Sequence, residues 1–333
     1  MLGQEVTVSP DQERIGLVLG AGGVVGAAWM TGALRAVQDQ LPREVNDVDV
    51  IVGTSAGSVL AAALRCGVSL DEMVAMQRGD EVRQLREPGI GALDEGPLPP
   101  WPHLRAGSPR LILHALLAPH RVHPGVGASA WLPRGRARHE TLHAMVHALH
   151  ADAHARTPRP APDWVDATTW IVAVDYDSGR RVIFGQDGAP QAALADAVVA
   201  SCSIPGWYAP RVIGGRRYVD GGVRSPTSLP VLSRVDVDTV YVLAPMASLM
   251  PDRPRTRLER LERRLRAVLT WAVLREARAL SAQGIQVTLL TPGPEDLAAM
   301  GANLMDPRRR SATLETSLRT SPRAFAASRA QVA

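Results

Sequence analysis

The chain has 333 residues, 46% of them hydrophobic and 21% charged, with a net charge of +4. That length fits one large domain or two modest ones, and the composition excludes intrinsic disorder, collagen and a coiled-coil rod. Cys66 and Cys202 are too few for a disulfide framework, and the 37 basic residues, all arginine, form no aromatic-interleaved stripe that would suit nucleic acid.

Residues 1–14 are a polar lead with neither a basic n-region nor an apolar h-region, so we expect no signal peptide and a cytoplasmic protein. Ile15 to Leu34 then carries no charge over twenty residues, long enough for a membrane span. Glycines at 16, 20, 22, 23, 26 and 32 interrupt it, and their spacing predicts a buried strand over 15–19, a tight loop and a helix over 25–38. A second aliphatic strand, 48–52, runs into Gly53-Thr54-Ser55-Ala56-Gly57 and a small-residue helix over 58–64. This alternation is the rhythm of a parallel α/β sheet.

From Glu87 to Pro162 proline is dense, apolar runs are short and all nine histidines occur, which predicts a helical insertion or cap. Strands resume at 170–174 and 181–184 across the turn sequence Asp175-Tyr176-Asp177-Ser178-Gly179. A helix over 192–199, a short strand ending at Asp220, a strand over 239–243, an arginine-rich helix over 255–283 and a strand over 285–290 follow. The main domain is expected over 15–300, with 87–162 as its cap and 301–333 as a helical, partly loose tail.

Gly53-x-Ser55-x-Gly57, set between a strand and a helix, matches a nucleophile elbow. The turn needs small neighbours and lifts the hydroxyl above a helix N-terminus, whose dipole favours developing negative charge. The plainer reading is a glycine-rich turn whose serine caps the helix. A serine needs a base, and no histidine follows His154. The order Ser, acid, His of the α/β-hydrolases is therefore excluded, leaving a carboxylate or a histidine between 103 and 154. Asp220-Gly221-Gly222 places one acid at a strand end beside two glycines, where a reacting group could approach; a simple hairpin turn explains the same residues. Upstream, in Ala200-Ser201-Cys202-Ser203-Ile204-Pro205-Gly206, Cys202 reads as a small buried filler.

The blocks Gly20-Ala21-Gly22-Gly23-Val24-Val25-Gly26, Gly53-Thr54-Ser55-Ala56-Gly57, Ala200-Ser201 with Pro205, and Asp220-Gly221-Gly222 stand in one order. Together they resemble the patatin-like phospholipase family. The resemblance implies a three-layer α/β/α fold with a mainly parallel central sheet and a helical cap. It also implies a Ser-Asp dyad of Ser55 as nucleophile and Asp220 as base, with backbone N–H groups of Gly22, Gly23 and Val24 as oxyanion donors. Gly53, Gly57, Gly221 and Gly222 would support the two motifs. Ala21 stands where the family's loop has its first glycine, and Val25 where it carries Arg or Lys, so a charged contact to an anionic head group is lost there.

Three other signals stand in the sequence. His139-Glu140-Thr141-Leu142-His143 matches a zinc-binding H-E-x-x-H. It lies within a longer stripe with His147, His150 and His154, which reads as a solvated helix face, so no metal is expected. A dinucleotide loop starting at Gly20 needs glycine at 25, where Val25 stands, and no cofactor is expected. Between Asp252 and Arg266 seven arginines face three acids, with Leu258, Leu261 and Leu265 at helical spacing. This reads first as an amphipathic helix packed on the sheet, and second as a peripheral contact with an anionic membrane through 253–266. The expected function is hydrolysis of lipid or other carboxylic esters. An acyltransferase on the same dyad and a catalytically idle lipid-binding module are the alternatives.

Overall fold

The computed structural model of the chain describes residues 13–80, 101, 103–156, 163–250, 252–254 and 256–330. Most of the expected polar lead, the parts of the insertion at 87–100 and 157–162, and residues 331–333 lie outside the described residues. In chain order the elements are β1 (Ile15–Leu19), α1 (Gly23–Gln38), β2 (Val50–Thr54), α2 (Ala56–Arg65) and α3 (Leu70–Arg78). The insertion supplies β3 (His103–Ala106), α4 (Pro109–Leu117), α5 (Pro124–Ser129), β4 (Pro133–Arg134) and α6 (Glu140–Ala155). Then come β5 (Thr169–Asp175), β6 (Arg181–Phe184), α7 (Leu194–Cys202), β7 (Arg211–Ile213), β8 (Arg216–Asp220) and β9 (Thr239–Leu243). The chain continues through α8 (Arg257–Ser281), β10 (Gln286–Leu290), α9 (Pro294–Met300) and α10 (Arg310–Ala330).

The central sheet has the order β10-β9-β1-β2-β5-β8-β7, with β6 also pairing β5. Its first five strands run parallel, and β6, β7 and β8 join antiparallel. Every residue of β1, β2 and β5 is buried, as a parallel sheet covered on both faces requires. Side chains alternate between two cores. Ile15, Leu17, Leu19 and Ile51 face α1, α2, α6 and α7, while Val18, Val50 and Val52 face Val273 and Leu280 of α8. The architecture is three-layer α/β/α, as expected.

Two parts of the chain are more tightly integrated than their sequence suggests. The insertion is helical, but α6 belongs to the body, with Leu142, Val146 and Leu149 in the main core. The described part of the tail packs on the body: Ser317 of α10 donates to the Trp29 carbonyl of α1 at 2.7 Å, and Leu314 is fully buried. Small residues and hydroxyls make that contact, and an apolar periodicity search does not register them. No described helix is long and apolar enough to cross a membrane.

Candidate active site

Three chain segments meet at the C-terminal ends of the parallel strands. Ser55 sits between β2 and α2 with φ 54° and ψ −123°, a conformation that costs a non-glycine residue about 1–3 kcal/mol. The surroundings enforce it. The Ser55 N–H donates to Ser201 Oγ at 2.8 Å, and the Ser201 hydroxyl donates onward to the Val172 carbonyl at 2.6 Å. Ser58 Oγ donates to the Ser55 carbonyl at 2.6 Å. Gly57 lies so close to β1 that an added Cβ would stand 2.0 Å from the Leu19 carbonyl oxygen, and its N–H donates to the Gly20 carbonyl at 3.2 Å. Gly53, at the end of β2, faces the Ser58 backbone.

Asp220 ends β8 and pairs with Ala173 of β5, which brings it level with the serine turn. The Ser55 side chain lies close enough to its carboxylate to draw the Asp220 pKa down, and the Gly222 N–H donates to Oδ1 at 2.7 Å. The Asp220 N–H donates to the Ser203 carbonyl at 3.0 Å, and Gly221 packs against the Val172 carbonyl. Ser55 and Asp220 are only 5% and 4% exposed. Burial pushes the Asp220 carboxyl up to about 6, against the pull of Ser55 and of the hydrogen bond from Gly222.

The glycine loop closes the third side. Gly222 approaches the Ala21 side chain, and the Ala21 N–H donates to the Pro226 carbonyl at 2.7 Å. The N–H groups of Gly22, Gly23 and Val24 have no hydrogen-bond partner among the described residues, whereas the next one, Val25, donates to the Leu304 carbonyl at 3.0 Å. Gly23 has φ +61°, and an added Cβ would meet the Leu304 carbonyl oxygen at 2.7 Å. The run of free donors at the start of α1 is therefore fixed from the C-terminal region, and Val25 itself is buried.

The histidines do other work. Ser55 has no histidine partner among the described residues. His139 stacks on Tyr208 with centroids 3.6 Å apart, bonds the Cys202 carbonyl through Nε2 at 3.0 Å, and is pushed down to about 4 by burial. His143 meets Asp196 at 3.2 Å, and His150 and His154 approach through their Nε2 atoms at 2.9 Å. The stripe is thus partly turned inward against α7 and the loop beyond it, not the solvated face expected. Burial also raises the Cys202 thiol far above its ordinary value, as suits a filler.

Sequence reasoning missed Ser201 as the group that holds the serine turn, and Leu304 as the anchor of the glycine loop. The first had a signal, since Ser201 lies in the third motif block. The second had none, because a backbone carbonyl leaves no mark on residue type.

The patatin-like phospholipase family model matches residues 17–233. No curated relative matches the chain. Among solved structures, VipD from Legionella pneumophila is similar with a TM-score of 0.43 and 13% identity, over 95% of this chain and 67% of that one. The type III effector protein ExoU is similar with a TM-score of 0.40 and 15% identity, over 94% of this chain but only 53% of its own.

Proposed function

The chain belongs to the patatin-like phospholipase family, which implies lipid acyl hydrolase activity, and on that premise we propose a serine hydrolase that cleaves carboxylic esters of lipids through an acyl-enzyme on Ser55. Asp220 is its base. The observation that carries this reading is the juxtaposition of a serine held in a strained turn with the buried carboxylate of Asp220, whose pKa it draws down.

Ser55 Oγ attacks the ester carbonyl while its proton passes to Asp220. The oxyanion that forms is met by the N–H groups of Gly22, Gly23 and Val24, each worth about 3 kcal/mol in a site of this type. As the tetrahedral intermediate collapses, Asp220 returns the proton to the departing alkoxide. Water then attacks the acyl-enzyme, gives a proton to Asp220, and the serine hydroxyl is restored. A carboxylate near 6 is a better base at neutral pH than an ordinary aspartate. With no imidazole to protonate a poor leaving group, esters are expected to outrun amides.

Lipid esters lie in membranes, so turnover requires the protein to reach an interface, and the 253–266 region is our candidate for that peripheral contact. A fluorophosphonate probe tests the chemistry. It should label Ser55 in the wild type and not in Ser55→Ala, and labelling elsewhere with Ser55 untouched would refute the assignment.

A further inference from the structure

Helix α8 is inside out over its first half. Leu258, Leu261, Leu265, Val268 and Trp271 recur at intervals of three and four, and each is 57–64% exposed. The side turned toward the protein carries charge instead. Arg266 is 2% exposed, pairs with Glu262 and donates to the Ala247 carbonyl at 3.2 Å. Arg263 pairs with Asp252 at 2.9 Å. The apolar stripe therefore does not pack on the sheet, as its spacing alone suggests. Only farther along do Val273, Ala277 and Leu280 enter the core.

The exposed stripe stands at the same edge of the sheet as Ser55. Arg266 bonds the carbonyls of Pro245 and Ala247, which lie just past the C-terminal end of β9. Pro245 in turn packs on Gly22 of the glycine loop. Nine residues of α8, about 14 Å of helix at the helical rise per residue, precede Arg266. Leu249 and Met250 are also exposed, on the loop that Ser248 ties to Thr270 of α8.

We infer that this face of α8 docks on an anionic lipid bilayer and presents the Ser55 edge of the sheet to it, an inference that rests on the lipid-ester reading above. Charge selects this occupant. Arg257, Arg260, Arg264, Arg275 and Arg278 are exposed beside the stripe, while the helix's acids are engaged elsewhere. Glu259 caps Thr256, Glu262 holds Arg266, and Glu276 accepts from Ser225 and Thr227. Arg275 lies over the Trp271 ring at 5.0 Å, an amphipathic pair suited to the headgroup region. A second copy fits poorly, because a twofold contact would set two arginine rows against each other.

The test uses the full chain carrying Ser55→Ala, so that lipid is not consumed, with sucrose-loaded vesicles. It should sediment with vesicles of equal parts phosphatidylcholine and phosphatidylglycerol, and far less with phosphatidylcholine alone. Adding Leu261→Ser, Leu265→Ser and Val268→Ser should lower the bound fraction at least about tenfold. The same triple variant with Ser55 intact should keep turnover of a soluble p-nitrophenyl ester while losing it on vesicle phospholipid. Equal sedimentation of triple variant and parent overturns the docking inference. So does a parent that ignores vesicles but forms a dimer, by light scattering, that the triple variant splits. Stripe-dependent binding without turnover of either ester supports docking and instead refutes the hydrolase reading.

Discussion

Around Ser55 the chain is matched internally, while the first half of α8 presents apolar side chains to solvent and turns Glu262, Arg263 and Arg266 toward the protein. At the serine turn, Ser201, Ser58 and Ser203 each take or give a hydrogen bond to fix a neighbouring backbone, and glycines let strands approach where a methyl group could not. On α8, the exposed leucines belong to no buried core cluster among the described residues. One region stores strain for a single geometry, and the other leaves apolar surface uncovered. Substitutions should therefore separate them: the junction answers in turnover and stability, the helix face in where the protein goes.

The largest effect should come from Ser55→Ala, which is expected to lower kcat at least about 10⁴-fold. Asp220→Asn should follow at about 10³-fold or more, both with an unchanged circular-dichroism spectrum. Near-normal turnover in the Asp220 variant would transfer the role of base to another group. Next in size is Gly57→Ala. With its Cβ 2.0 Å from the Leu19 carbonyl oxygen, it should cost about 3 kcal/mol or more in denaturant unfolding. Leu261→Ser on α8 should stay within about 0.5 kcal/mol of wild type. An equal loss in both would erase the contrast between the regions.

Ser201→Ala removes the acceptor for the Ser55 N–H, and should cost about 1–3 kcal/mol of stability. As a positioning change it should fall on kcat, about ten- to a hundredfold, with KM nearly unmoved. A loss confined to KM would refute that role.

The last effects follow pH. Turnover requires ionised Asp220, so kcat/KM should fall as pH drops through about 6. The stability sign is opposite to that of a salt-bridged aspartate. Because the folded pKa lies above the unfolded one, the ionisation penalty is absent below about pH 4, grows toward 6, and is complete above that. Asp220→Asn removes it. The variant should gain on the order of 2–3 kcal/mol over wild type at neutral pH relative to pH 4, read from paired unfolding curves. A difference that does not vary with pH would place the Asp220 pKa at its ordinary value.

Much of this was legible in the residues, for a steric reason. The glycine blocks at 20–26, 53–57 and 221–222 mark places where backbones touch, and only one residue type tolerates that, so sequence and geometry are tightly coupled there. The parallel strands were legible because burial on both faces forces continuous aliphatic runs. The orientation of α8 was not. Spacing shows that Leu258, Leu261 and Leu265 share a face, but nothing in spacing says on which side the sheet lies. The charged set Glu262, Arg263 and Arg266 was the available hint, since the sheet claims that face through Val273 and Ala277 a few turns later. Likewise His139 and its neighbours looked like a solvated row because the ring of Tyr208 comes from a segment far along the chain.

The bond from the Val25 N–H to the Leu304 carbonyl also bears on timing. During translation the serine turn and Asp220 emerge from the ribosome well before residue 304 does, and N-terminal parts can begin to fold first. Until that carbonyl arrives, the loop at the start of α1 lacks its bond at Val25. A nascent polypeptide would then hold the proposed nucleophile and base without the contact that fixes the cradle proposed for the charge they create.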